Sequence, residues 1–295
     1  MGGKRVVPGS RRQHRPLLIK KAADSNKSLF FIHDGTGRIE GYFNLCVTLK
    51  PEFNVYGILP DEDINGIPKE LSIFKLARSY IKQIREIQPS GPYFLAGWSI
   101  GGTITFEMAC QMEEEGDEVS FCGLFDPPPP GYYLIEGKDI FTVHSELERV
   151  RPFIKSKESV TELARCSDCE EFWSLFIKQC TVGQIDIDSY LTFMSETWPV
   201  QDITDSRMPL LELIQINNNI RALHEARVRY IPYGKLKTSA CLFRAAIPGI
   251  KDIDNWEMYC GDLQTYTLDG DHYSIFNNEN SKRAADLLNT VLDSC

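Results

Sequence analysis

The chain has 295 residues, 42% of them hydrophobic and 25% charged, a globular composition long enough for one large α/β domain with an insertion. A formal net charge of −9 without any basic stripe argues against nucleic acid as a partner. No apolar run reaches the roughly 18 residues of a membrane span, and nine scattered cysteines without a secretory signal suggest reduced thiols and a cytoplasmic location.

Residues 1–28 carry Lys4, Arg5, Arg11, Arg12 and Arg15 and no long apolar stretch, and are expected to form a poorly ordered linker. Order is expected from Leu29. Leu29-Phe30-Phe31-Ile32 reads as a buried strand, and His33-Asp34-Gly35-Thr36-Gly37 as the tight loop that ends it. Phe53 to Ile58 gives a second strand. Ser72 is placed to cap a helix bearing Ile73, Ala77, Tyr80, Ile81, Ile84 and Ile87 at helical spacing, and Pro89-Ser90-Gly91-Pro92 stops it. Tyr93 to Gly97 is the next strand, residues 100–114 the next helix, and Val119 to Phe125 another strand, closed by Asp126 and Pro127 to Pro130.

This alternation is the pattern of a parallel sheet covered on both faces. It breaks at about 132. From there to 231 the pattern is helical, with segments near 168–181 and 207–229, before strands return at Ala240 to Phe243 and Leu263 to Leu268 and a last helix carries Ala284, Ala285, Leu288, Val291 and Leu292. The expectation is an α/β-hydrolase fold over 29–295: a mostly parallel sheet in a core of 29–131 and 232–295, with a helical lid over about 132–231.

Gly97-Trp98-Ser99-Ile100-Gly101 matches G-x-S-x-G. The pattern alone is weak, since roughly 0.1 matches arise by chance in a chain of this length. Its place directly between a strand and a helix is where a nucleophile elbow makes physical sense. A serine hydroxyl needs a base and the base an orienting acid, and in this fold they follow in the order Ser, Asp or Glu, His. Of the histidines after Ser99, His144 and His224 fall within the helical insertion. His272 lies in Leu268-Asp269-Gly270-Asp271-His272-Tyr273, a turn at the carboxyl end of a strand, and is the expected base. Asp126, also at a strand end, is the preferred acid, with Asp269 and Asp271 as alternatives. The backbone N–H of Ile100 and one from the loop after the first strand, Gly35 first and Thr36 second, are the expected oxyanion donors. His33 precedes Ser99 and is expected to shape that loop. Cys166 and Cys169 form a lone C-x-x-C without the second pair that a structural zinc needs, and no metal is expected.

With these residues in view, the chain resembles the type I thioesterase domains of non-ribosomal peptide and polyketide synthases. The resemblance rests on Gln88 to Gly102, on Ile32-His33-Asp34-Gly35-Thr36-Gly37, and on Gly270-Asp271-His272-Tyr273. The chain departs from the family in lacking the proline that more often follows the loop histidine. The resemblance implies an acyl or peptidyl chain held as a thioester on the 4′-phosphopantetheine of a carrier domain, taken up by Ser99 and released by hydrolysis or macrocyclisation. It implies no cofactor bound by the domain itself, an upstream carrier domain as partner, and residues 1–28 as the tether. Trp173, Phe176, Phe193, Met194, Leu210, Leu213 and Ile214 are candidates for lining the acyl chamber under the lid or for packing the lid itself. An esterase for free small esters, or an inactive hydrolase fold used for binding, are the competing readings.

Overall fold

The structure is a computed structural model that describes residues 15–60, 71–131, 142–197, 210–247, 255–277 and 279–294. Its first half runs β1 (Leu17–Lys20), β2 (Lys27–Ile32), α1 (Phe43–Thr48), β3 (Phe53–Ile58), α2 (Ile73–Ile87), β4 (Tyr93–Trp98), α3 (Ile100–Glu114) and β5 (Val119–Phe125). Among the described residues five α-helices follow: α4 (Val143–Val150), α5 (Lys157–Ala164), α6 (Cys169–Thr181), α7 (Ile187–Thr197) and α8 (Leu210–Val228). The chain then returns to the sheet with β6 (Ala240–Ala245) and β7 (Leu263–Leu268) and ends on α9 (Asn280–Leu292).

The strands form one sheet in the order β1-β3-β2-β4-β5-β6-β7, parallel throughout except for β1. Each central strand is apolar on both faces because each face is covered. Phe30 and Ile32 of β2, Leu95 of β4, Leu124 of β5 and Leu242 of β6 pack toward α2 and α3. The residues between them, Leu29 and Phe31, Phe94 and Ala96, Phe125 and Phe243, pack on the opposite side with α1 and α9. Ser72 caps α2 as its sequence suggests, its hydroxyl accepting the Lys75 N–H at 3.3 Å.

Two boundaries differ from the sequence expectation. Order reaches back into the expected linker, because β1 pairs antiparallel with β3 and β2 begins at Lys27. An edge strand needs one neighbour and little burial, and the apolar run of β1, Leu17-Leu18-Ile19, is too short to announce a strand among the basic residues before it. Asn54 fastens the connection, its side chain accepting from Ala22 N at 3.0 Å and donating to Ser25 O at 3.1 Å. At the other end, the inserted helices have a core of their own, including Leu147, Leu163, Phe172, Trp173, Phe176 and Tyr190. Yet α8 passes Leu223 and Ala226 into the core beside α3, and Tyr230, just beyond it, donates its hydroxyl to Glu107 of α3 at 2.8 Å. The last inserted helix is therefore shared between insertion and sheet. Among the described residues no helix is long and apolar enough to cross a membrane.

The sheet order carries the functional consequence. From β2 the chain steps one way to β3 and then back past β2 to β4, so β2 and β4 are parallel neighbours, with Ile32 beside Gly97. At such a switch point the loops leaving the two strands part and open a crevice at the carboxyl edge of the sheet.

Candidate active site

Four strand ends supply the site. Trp98 of β4 lies beside Phe125 of β5, Phe125 beside Phe243 of β6, and Ala245 of β6 beside Leu268 of β7. Ser99, Asp126 and the loop 269–277 thus emerge on one edge.

Ser99 stands between β4 and α3 with φ 57° and ψ −124°, in the left-handed half of the backbone map that L-residues avoid. Surrounding contacts leave it no alternative. Its N–H donates to Phe125 O at 2.9 Å, and the strand and helix pass too closely for side chains at the flanking glycines. A Cβ on Gly101 would stand 2.7 Å from the Ile32 carbonyl oxygen and nearer still to that of His33; one on Gly97 would meet Thr105 Oγ1 at 2.6 Å. Such strain, on the order of 1–3 kcal/mol, projects the hydroxyl out of the turn over the N-terminus of α3.

His272 faces that hydroxyl. Its Nε2 lies 3.0 Å from Ser99 Oγ and its Nδ1 2.8 Å from Asp126 Oδ2. A carboxylate can only accept, so Nδ1 carries the proton and Nε2 is left to accept from the serine. Asp126 also sits at positive φ (47°), and its N–H donates to Phe243 O at 2.7 Å. Its Oδ1 accepts Ala245 N–H at 3.1 Å and has Arg244 Nη1 at 3.7 Å. Burial pushes this carboxyl's pKa up, but the bond and charge of His272, the Ala245 N–H and the Arg244 charge outweigh it, leaving it below its ordinary value.

The two alternative acids are occupied elsewhere. Asp269 pairs with Arg283. Asp271 builds the loop, its Oδ1 accepting from Tyr273 N at 3.0 Å, Ser274 N at 2.9 Å and Ser274 Oγ at 2.7 Å. The other two late histidines lie in the insertion as expected. His144 is exposed on α4. His224 on α8 neighbours Arg227, and burial followed by that charge lowers its pKa to about 3.

The loop after β2 is tied into a fixed shape. Thr36 N–H donates to Asp34 Oδ1 at 2.8 Å, so its N–H, the second choice from sequence, is spent within the loop. Gly35 is open: a Cβ there would meet nothing nearer than Ile100 Cγ2 at 3.9 Å. This brings the Gly35 and Ile100 segments together. Asn219 of α8 reaches the same loop, donating to Thr36 O at 3.2 Å.

Other contributors gave no chemical signal in sequence. The Trp98 indole N–H donates to the His272 carbonyl at 3.1 Å, and its ring packs between His272 and Phe276. Tyr42 receives the Trp98 N–H at 2.7 Å and donates to Ile32 O at 2.7 Å, joining β4 to β2 just below the site. Three of the apolar residues named from sequence pack within the insertion. Trp173 and Phe176 lie in the insertion's own core and Phe193 against Phe153, while the side chains of Met194, Leu210, Leu213 and Ile214 fall outside the described residues.

A strained serine elbow, a histidine and a carboxylate on the edge of a mostly parallel sheet define the α/β-hydrolase fold. The sequence model of the thioesterase domain matches residues 27–179, just over half of the chain, and the chain belongs to that family. Among curated proteins it is 26% identical over 278 residues to a vanchrobactin synthetase of Vibrio anguillarum, covering 92% of this chain and 8% of that protein. It is 34% identical over 121 residues to an inactive atromentin synthetase of Paxillus involutus, covering 41% of this chain and 13% of the other. The chain thus spans only a small part of the curated relatives it matches. Among solved structures, the NocB thioesterase domain in covalent complex with a fluorophosphonate nocardicin G analog superposes with a TM-score of 0.57 at 21% identity, over 90% of this chain and 94% of that one. A four-domain non-ribosomal peptide synthetase, AB3403, superposes with a TM-score of 0.63 at 19% identity, over 92% of this chain and 20% of that one.

Proposed function

We propose that the chain releases an acyl or peptidyl group from a carrier-bound thioester through an ester on Ser99. The observation that carries this reading is the continuous chain from Ser99 Oγ through His272 to Asp126, at 3.0 and 2.8 Å. As Ser99 Oγ attacks the thioester carbonyl, its proton passes to His272 Nε2, and the Asp126 carboxylate holds the resulting imidazolium. The tetrahedral oxyanion faces the N–H groups of Ile100 and Gly35, next to the positive end of α3. Collapse breaks the C–S bond, and the proton on His272 goes to the departing sulfur. His272 then takes a proton from a second nucleophile that attacks the ester, and returns it to Ser99 Oγ. Water gives the free acid; an amine or hydroxyl of the same chain gives a macrocycle.

The thiol leaving group is assigned to the phosphopantetheine of a carrier domain. Family membership supports this, as do relatives that are multidomain synthetases of which this chain matches only a part. The phosphopantetheine belongs to the partner and is substrate here, not a cofactor of the domain.

The test pairs two measurements. A fluorophosphonate should label Ser99, located by mass spectrometry, and Ser99→Ala should lower turnover by about 10³-fold or more. Release of an acyl group from a loaded carrier domain should outpace hydrolysis of the matching simple oxyester. Absence of an adduct on Ser99 overturns the acyl-enzyme and leaves an inactive binding fold. A far faster oxyester overturns the carrier-bound substrate and leaves an esterase.

A further inference from the structure

We propose that His33 and Tyr80 are positioning residues that aim and polarise the Gly35 N–H as an oxyanion donor. The inference rests on the acyl-enzyme reading above and extends it to two buried residues that lie outside the Ser99–His272–Asp126 chain.

The Asp34–Gly35 peptide is one planar amide, with its carbonyl on one edge and the Gly35 N–H on the other. That carbonyl accepts two hydrogen bonds, from His33 Nδ1 at 2.7 Å and from Gly37 N at 3.1 Å. A carbonyl has no proton to give, so the His33 ring carries its hydrogen on Nδ1. The ring is fully buried, and burial lowers its pKa to about 4, against the smaller opposing effect of the Asp34 carbonyl. It is therefore neutral at ordinary pH, which leaves Nε2 as an acceptor. Tyr80 OH lies 2.7 Å from Nε2 and must be the donor. The sense of the chain follows without ambiguity: Tyr80 O–H to His33 Nε2, His33 Nδ1–H to the Asp34 carbonyl, and Gly35 N–H outward from the opposite edge.

Two physical effects follow. The amide plane is pinned from behind, so the Gly35 N–H does not have to reorient when the oxyanion forms. Each bond drawn from the carbonyl also withdraws density from the amide nitrogen, and bonds in such a chain strengthen one another by about 10–30% in a site of low dielectric. Packing alone does not ask for this arrangement. Tyr80 and His33 are both fully buried, where apolar residues of similar shape would fill the same space without a polar group to satisfy.

The test uses Tyr80→Phe, which removes only the hydroxyl, together with His33→Leu and His33→Asn. Asn places an N–H donor near the position of Nδ1 and should restore the bond to the Asp34 carbonyl. Rates are expressed per active site by titrating Ser99 with a fluorophosphonate, so unfolded protein does not count. The second readout is the inhibition constant of an acyl trifluoromethyl ketone, whose adduct with Ser99 places an oxyanion in the same position. Tyr80→Phe should lower kcat about 5- to 20-fold with KM within about twofold, and weaken the ketone by the same factor. His33→Leu should lose more, and His33→Asn should recover most of that loss. The inference is overturned if kcat and ketone affinity both hold in Tyr80→Phe and His33→Leu. It is equally overturned if KM alone moves, or if kcat falls while ketone affinity does not. Failure of the acyl-enzyme reading looks different, since wild-type Ser99 would then form neither adduct.

Discussion

Ser99 holds a backbone conformation with φ 57° and ψ −124° that glycine adopts freely and serine does not. The hydroxyl is delivered at a cost in stability of about 1–3 kcal/mol. Ser99→Gly should therefore abolish turnover while raising Tm by about 2 °C, part of the relieved strain being offset by the greater entropy of glycine in the unfolded chain. A calorimetric scan of the two proteins checks this, and a lower Tm in the variant would mean the elbow stores no strain. His272 is constrained from three sides: Asp126 at Nδ1, Ser99 at Nε2, and the Trp98 indole at its carbonyl. In sequence Trp98 is only a variable position of the Gly97-Trp98-Ser99-Ile100-Gly101 motif, with no task of its own. Its task is visible only once residue 272 lies against residue 98, a pairing that no local pattern encodes.

At the scale of elements, the strand ends place every group of the site, and the close passage of β4, α3 and β2 makes the elbow possible. Gly101 is where this is tightest, with the Ile32 and His33 carbonyl oxygens filling the space a Cβ would need. Backbone cannot move aside as a flexible side chain can. Gly101→Ala should cost at least about 3 kcal/mol, seen as a loss of Tm and of urea midpoint, and remove activity with it. The alternation of strand and helix, the Ser72 cap and the elbow were legible in sequence, because apolar period, capping chemistry and glycine spacing are local. The edge strand β1 was not, since its apolar run is only three residues long and its place depends on pairing with the distant β3. Nor was the reach of α8 to the loop after β2, where Asn219 meets the Thr36 carbonyl. The last of three consecutive asparagines in a helical pattern carries no mark of a contact so distant in sequence.

Across the whole molecule, the inserted helices have their own core and are tied to the sheet largely by α8. Within that core the Arg221 guanidinium lies 3.2 Å from Glu146 of α4 and over the Trp173 ring at 4.9 Å, with both charged side chains almost completely buried. Burial pushes the Glu146 carboxyl up and the Arg221 guanidinium down, in each case against their mutual attraction. Taking one partner away strands the other charge. Arg221→Met should cost about 3–5 kcal/mol, whereas the double replacement Arg221→Met with Glu146→Leu should recover most of it. Urea unfolding of the three variants measures the coupling. A single variant as stable as the wild type would show that the pair does not anchor the insertion.

The sequence by itself determined the covered parallel sheet, the elbow at Ser99 and the order of candidate residues, because these follow from apolar period, turn chemistry and residue type along a short stretch of chain. The tertiary structure decided the rest. It put Asp126 rather than Asp269 or Asp271 against His272, since those two carboxylates satisfy Arg283 and the loop's own N–H groups. It spent the Thr36 N–H on Asp34 and set Gly35 close beside Ile100. It also gave His33 the means to shape its loop, a bond to the Asp34 carbonyl on one side and to the Tyr80 hydroxyl on the other. Which donors are satisfied internally, and which remain for a substrate, depends on contacts between segments that are distant in the sequence, and only folding brings those segments together.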